Sequence, residues 1–233
     1  GIEVVGIDCH IGSQITSIAP FLAAADRVAD LVDELRAAGI ELRHIDLGGG
    51  LGIRYRDEEP PSRQALVQAV LGRLDERLGA GRYEVLFEFG RSLVGNAGLL
   101  LTRVEYLKQA SERRFAIVDA AMNDLIRPSL YDAWHGVVPL RPRQGDALAW
   151  DIVGPVCESG DWLARDRALC LEPGDLLAIE SAGAYGMAMS SNYNSRGRAA
   201  EVMVDGDRAR LVRERESLES LFALERTLDG RRP

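Results

Sequence analysis

Between residues 4 and 89, apolar runs of strand length alternate with stretches of helical periodicity, and each run delivers glycine or polar residues at its end. Residues 4–10 read as a strand ending in His10-Ile11-Gly12-Ser13-Gln14. A helix follows, with Pro20 in its first turn, Phe21, Ala25, Val28, Val32 and Leu35 on one face, and Gly39 as its stop. A second apolar run breaks into Gly48-Gly49-Gly50. A second helix runs from an N-cap at Ser62 through Leu66, Val70, Leu74 and Leu78 to Gly79. The third run, residues 83–89, ends at Gly90-Arg91. Strand, helix, strand, helix, strand predicts a parallel α/β sheet, and in such sheets ligands sit beyond the C-terminal ends of the strands.

The glycine triplet allows two readings. Glycine reaches positive φ at little steric cost, so consecutive glycines can present bare N–H groups to an anion such as a phosphate. The same triplet can equally be a flexible connection between a strand and the next element.

The pattern changes near residue 96. Short β-type runs at 99–106, 115–118, 148–153, 176–180 and 202–204 are separated by turn signals such as Glu172-Pro173-Gly174-Asp175, and Val204-Asp205-Gly206-Asp207 predicts a tight hairpin. A last helix is expected over 217–228, packing Leu218, Leu221, Phe222 and Leu224. The fold class is therefore α/β followed by mostly β, with units at 1–95 and 96–233.

Composition excludes several classes of function. A net charge of −8 argues against nucleic acid as the main partner, and no uninterrupted apolar run approaches the ~20 residues that span a bilayer. The opening residues have no basic flank or signal-type core. Cys9, Cys157 and Cys170 are an odd number without C-x-x-C spacing, which predicts neither a disulfide framework nor zinc and fits a reducing cytoplasm. No His, Cys or carboxylate cluster has metal-ligand spacing. Lys108 is the only lysine among 28 basic residues.

Six ordered motifs carry a resemblance: His10-Ile11-Gly12-Ser13-Gln14, Leu47-Gly48-Gly49-Gly50, Glu88-Phe89-Gly90-Arg91, Met122-Asn123-Asp124-Leu125-Ile126-Arg127-Pro128, Cys157-Glu158-Ser159-Gly160-Asp161 and Gly183-Ala184-Tyr185-Gly186. Together they resemble the diaminopimelate decarboxylase family of fold-type III pyridoxal-phosphate enzymes. That resemblance implies removal of one carboxylate from meso-2,6-diaminopimelate to give L-lysine, the last step of lysine biosynthesis. It also implies the last three βα units of a TIM barrel followed by a β-barrel-like or β-sandwich domain. Where the family has Glu-Pro-Gly-Arg, this chain has Phe89.

The implied roles follow the chemistry. A protonated pyridine nitrogen needs a carboxylate beside it, and Glu88 corresponds to that residue; taken alone it would be an ordinary rim glutamate. His10 resembles the histidine that stacks on the cofactor ring, where a structural histidine bonded to Asp8 is the alternative. Ser13, Gly48, Gly49, Gly50, Gly90, Arg91 and Tyr185 resemble the phosphate ligands and their surroundings. Arg91, Arg127, Tyr131 and Tyr185 correspond to substrate ligands: guanidinium forks suit the distal carboxylate, and Glu158 corresponds to the acceptor of the distal ammonium. Surface ion pairs are the alternative for these, and a small packing residue is the alternative for Cys157, which corresponds to the cysteine that returns a proton. The family's Cys-Glu-Ser-Gly-Asp loop enters the partner's site, which implies a homodimer.

Such enzymes hold the cofactor on a barrel lysine. Lys108 lies beyond residue 96, so the expectation is a C-terminal portion whose lysine and earlier βα units lie upstream. A related enzyme acting on another basic amino acid or as a racemase, and a non-catalytic or regulatory relative, are the competing readings. A nicotinamide site ranks last, because G-x-G-x-x-G is not met in register.

Overall fold

A computed structural model describes residues 1–230. The chain divides into two compact units, Gly1–Ala97 and Gly98–Pro233.

The first unit is a three-stranded parallel sheet in the order β1 (Gly6–Asp8), β2 (His44–Asp46), β3 (Glu84–Leu86), joined by the helices α1 (Ala19–Ala37) and α2 (Arg63–Leu78). The regular strands are shorter than the apolar runs, three residues each. Beyond them the backbone still pairs: the N–H of Cys9 donates to Asp46 O at 3.0 Å and that of Leu47 to Leu86 O at 3.1 Å. The helix ends follow the sequence signals. Ser62 caps α2 by accepting from the Ala65 N–H at 3.1 Å, and Gly79 ends it at φ +99°. Ala25, Ala29, Val32, Leu66 and Val70 fill the core over Ile45, all essentially inaccessible to water. Truncating Leu66 to alanine there would cost about 2–5 kcal/mol. Arg73 and Arg77 of α2 bridge to Asp26 of α1 at 2.6 and 3.1 Å, but these partly exposed pairs add little. A one-turn helix, α3 (Arg91–Val94), follows β3.

The second unit is built on β4 (Leu100–Gln109), β5 (Arg114–Val118), a short helix α4 (Arg127–Tyr131), β6 (Val137–Pro139), β7 (Leu148–Val153), β8 (Trp162–Leu169) and β9 (Leu176–Ile179). The six strands form one sheet in the order β6-β9-β4-β5-β7-β8, antiparallel except for β5 and β7. Its ends approach each other: Arg167 on β8 donates through Nη2 to the carbonyl of His135, just before β6, at 3.1 Å. The sheet is thus nearly closed and barrel-like around Val104, Val118, Leu125, Ile152, Leu163, Leu177 and Ile179.

Two strands, β6 and β8, escape the sequence pattern. In β8 the Arg165-Asp166-Arg167 triplet hides the apolar alternation. The structure accommodates it with Asp166 at φ +53° and the Arg167 guanidinium stacked 3.2 Å from the Trp134 ring centroid. The predicted hairpin is present as β10 (Glu201–Asp205) and β11 (Arg208–Arg213), with Gly206 at φ +59° in the turn. The predicted terminal helix is corrected: only α5 (Leu218–Leu221) forms, and Leu218, Leu224 and Leu228 are exposed. So short a helix gains too few backbone bonds to persist without a packed face, and Ser217 caps little more than one turn.

Candidate active site

In the first unit the predicted residues collect beyond the C-terminal ends of β1, β2 and β3. His10, exposed after β1, accepts through Nδ1 from the Gly49 N–H at 3.3 Å, so its own proton sits on Nε2. The Gly48 N–H donates to Asp46 Oδ1 at 2.8 Å. Two of the triplet's three N–H groups are thus committed inside the protein, and the reading of a freely open cradle is corrected to that extent. The glycines are required for another reason. A Cβ on Gly48, Gly49 or Gly50 would strike the carbonyl oxygen of Cys9, Glu88 or Gly12 respectively, so the triplet lets three backbone segments meet. The flexible-connection reading fails for the same cause: the segment is pinned, with the Glu88 N–H donating to Gly48 O at 2.8 Å and the Ile15 N–H to Gly50 O at 2.9 Å.

That packing aims an exposed Glu88 carboxylate from the end of β3. Gly90 leads into α3, whose Arg91 donates through Nη2 to Ser13 Oγ at 2.9 Å and through Nη1 to the Tyr55 hydroxyl. Phe89, in place of a proline, stacks on Phe87 at 5.1 Å between ring centroids and packs against the unit's core. Burial, and after it the carboxylates of Asp8 and Asp46, push the Cys9 thiol up and keep it neutral.

The donor set fits a phosphate-bearing pyridine cofactor. Ser13, Gly90 and Arg91 offer a hydroxyl, a backbone N–H and a guanidinium on neighbouring segments, while His10 and Glu88 offer a ring and a carboxylate. No side chain at 48–50 can intrude. Lys108 lies on β4 of the second unit and is exposed.

The second unit brings another group together. Pro128 opens α4, which holds Arg127 buried at 7% exposure and leaves Tyr131 at the surface. Ser129 of α4 donates to the carbonyl of Gly160, so the helix is tied to the Cys157-Glu158-Ser159-Gly160-Asp161 loop. Asp161 is the loop's brace: its buried carboxylate accepts from the Met122 and Val156 N–H groups, each at 2.7 Å. Burial pushes its carboxyl above the usual carboxylate range, against the pull of those two donors. Cys157 and Glu158 stay exposed on the braced loop. Glu158 Oε1 accepts from the Gly160 N–H at 3.2 Å and its Oε2 from the Tyr193 hydroxyl at 3.3 Å, and the carboxylate pushes the Tyr193 phenol up. Tyr193 also lines a surface cavity of about 510 Å³ with Met122, Asn123, Ile126 and Ser191. Tyr185 sits half-exposed at φ +60°, a conformation costly for a bulky residue and typical of functional turns.

Sequence reasoning missed Asp161, Tyr193 and His135. Asp161 lay inside a recognised motif without a role. Tyr193 and His135 carry no local pattern; only the folded chain places them beside Glu158 and Arg127.

The family profile described as pyridoxal-dependent decarboxylase, C-terminal sheet domain, matches residues 9–183. The chain belongs to this family. It is 61% identical over 227 residues to diaminopimelate decarboxylase of Pseudomonas fluorescens and 57% identical over 227 residues to that of Vibrio cholerae, in each case over 97% of this chain and 54% of the relative. The chain thus spans about half the length of these curated relatives. Among solved structures, diaminopimelate decarboxylase from M. jannaschii in co-complex with L-lysine superposes with a TM-score of 0.91 at 40% identity, over 97% of this chain and 52% of that one. Among the described residues, no group of His, Cys, Asp or Glu could hold a metal ion and no helix is long and apolar enough to cross a membrane.

Proposed function

We propose that this chain carries cofactor- and substrate-binding residues of a cytoplasmic meso-2,6-diaminopimelate decarboxylase, an enzyme that uses pyridoxal 5′-phosphate to release CO2 and form L-lysine. In this reading residues 1–95 are three βα units of a TIM barrel and residues 96–233 the β domain. The names of the relatives support it, and one observation carries the choice of substrate. The Arg127 guanidinium is buried on α4. A guanidinium held there matches the carboxylate of the substrate's distal centre, and a substrate without that carboxylate has no use for it; Glu158, exposed on its loop, can offer a carboxylate to the distal ammonium of a substrate in the second subunit.

The cofactor, when bound, supplies the electron sink that makes loss of CO2 feasible. Ser13, Gly50, Gly90, Arg91 and Tyr185 hold its phosphate, with Gly48 and Gly49 giving the backbone room to approach. Glu88 keeps a proton at the pyridine nitrogen, and His10, oriented by its bond to Gly49, packs against the ring. Arg91, Arg127, Tyr131 and Tyr185 bind the substrate, and Glu158 accepts its distal ammonium. Cys157 delivers the proton that replaces the departing carboxylate on the α-carbon. The exposed Cys157–Glu158 loop suits insertion into the site of a second subunit in a homodimer. The test is release of CO2 and L-lysine from meso-diaminopimelate by the protein expressed from its complete reading frame, with L-lysine, ornithine and arginine as rival substrates. Preference for any of the three would refute the assignment.

A further inference from the structure

Arg127 is not the innermost residue of its group. Its Nη1 lies 3.0 Å from Nε2 of His135, a side chain with no accessible surface. The other ring nitrogen, Nδ1, lies 2.8 Å from the carbonyl oxygen of Glu180, which directly follows β9. A carbonyl only accepts and a guanidinium only donates, so the tautomer is fixed: Nδ1 carries the proton and Nε2 receives the Arg127 N–H. The main chain of His135 is held as well, because Arg167 of β8, stacked on Trp134, donates to the His135 carbonyl. The imidazole is therefore oriented by two strands at the seam of the barrel-like sheet.

An imidazole acceptor differs from a carboxylate in one respect that matters here. It fixes the direction of the guanidinium through a neutral contact that itself adds no counter-charge. A carboxylate in its place would fix the same direction and cancel the charge.

We propose that His135 is a positioning residue for substrate recognition: it aims the Arg127 guanidinium at the distal carboxylate through a contact that adds no counter-charge. This rests on the assignment of Arg127 to that carboxylate. Two substitutions separate positioning from folding. In His135→Asn the shorter side chain can still donate to Glu180 but falls short of Arg127. In His135→Gln the amide oxygen reaches about where Nε2 lies and can accept from Arg127.

The assay is steady-state kinetics of the protein from its complete reading frame, with meso-diaminopimelate and with D-lysine, which presents the same D-configured reacting centre, keeps a distal ammonium and lacks the distal carboxylate. Calorimetric binding of pimelate, a dicarboxylate with no amino group, provides a readout independent of turnover. The Asn variant should lose about 10-fold in kcat/KM for diaminopimelate, mostly in KM, and a similar factor in pimelate affinity, with D-lysine turnover unchanged. The Gln variant should recover most of both losses. Equal losses on diaminopimelate and D-lysine in the Asn variant, no loss on either, or no recovery with Gln would overturn the positioning role while leaving the proposed reaction standing. A wild-type protein that does not turn over diaminopimelate would overturn both.

Discussion

Replacing Asp161 with alanine removes the brace of the loop that carries Cys157 and Glu158. The carboxylate is 5% exposed and receives two backbone N–H groups, from Met122 and Val156, at 2.7 Å each. Each donor left unsatisfied in a buried setting costs about 1–3 kcal/mol, so the loss is about 2–6 kcal/mol. Asp161→Asn retains one acceptor and should cost about half as much. The three tryptophans, Trp134, Trp150 and Trp162, all lie in the second unit, so their fluorescence follows that unit alone during urea unfolding. With a slope near 2 kcal/mol per M, the alanine variant's midpoint should fall by about 1–3 M. A shift below about 0.3 M for alanine, or an asparagine variant worse than alanine, would show that these bonds do not hold the loop.

Gly49→Ala should destabilise the first unit by about 1–3 kcal/mol, since the added methyl meets the Glu88 carbonyl; thermal melts followed by circular dichroism check this, and an unchanged melt would contradict the close-packed reading. Asp175 is held below the ordinary carboxylate range, first by its hydrogen bonds from Arg143 and then by the Glu172 N–H. Because its folded pKa is depressed, its stabilising contribution is present above about pH 3.9 and is lost as pH falls through the lower folded value. Asp175→Asn should therefore flatten the acid limb of the unfolding-midpoint profile, and an unaltered limb would exclude that contribution. Tyr193 should ionise above the ordinary tyrosine range because of Glu158, and Glu158→Gln should bring one tyrosine titration down in ultraviolet absorbance. The same downward shift in a Tyr193→Phe background would assign it elsewhere.

The α/β half was legible because its determinants are local. Helical spacing, the Ser62 cap and glycine stops act within a few residues, and the structure places α1 and α2 where they predict. What the glycine triplet does was not legible, because its purpose depends on carbonyls 38 or more residues away in sequence at Cys9, Gly12 and Glu88. In the β half, β8 was hidden by charges that the fold satisfies individually: Arg167 by Trp134 and the His135 carbonyl, Arg165 by the Trp162 ring. The terminal helix was overpredicted since apolar spacing over 217–228 says nothing about whether a partner face exists. The site followed the same division. Motif residues were visible as motifs, whereas His135, Asp161 and Tyr193 act through hydrogen bonds to positions 5 to 45 residues distant.

The most direct test of the substrate assignment compares kcat/KM for meso-diaminopimelate and D-lysine in the wild-type protein and in Arg127→Leu, with tryptophan fluorescence confirming that the variant is folded. Loss of a charge-assisted, partly desolvated contact should cost diaminopimelate roughly 2–4 kcal/mol, or about 30- to 1,000-fold, while D-lysine, which has no distal carboxylate to lose, changes little. Equal losses on both substrates in a folded variant would show that Arg127 serves the fold and not the recognition of diaminopimelate.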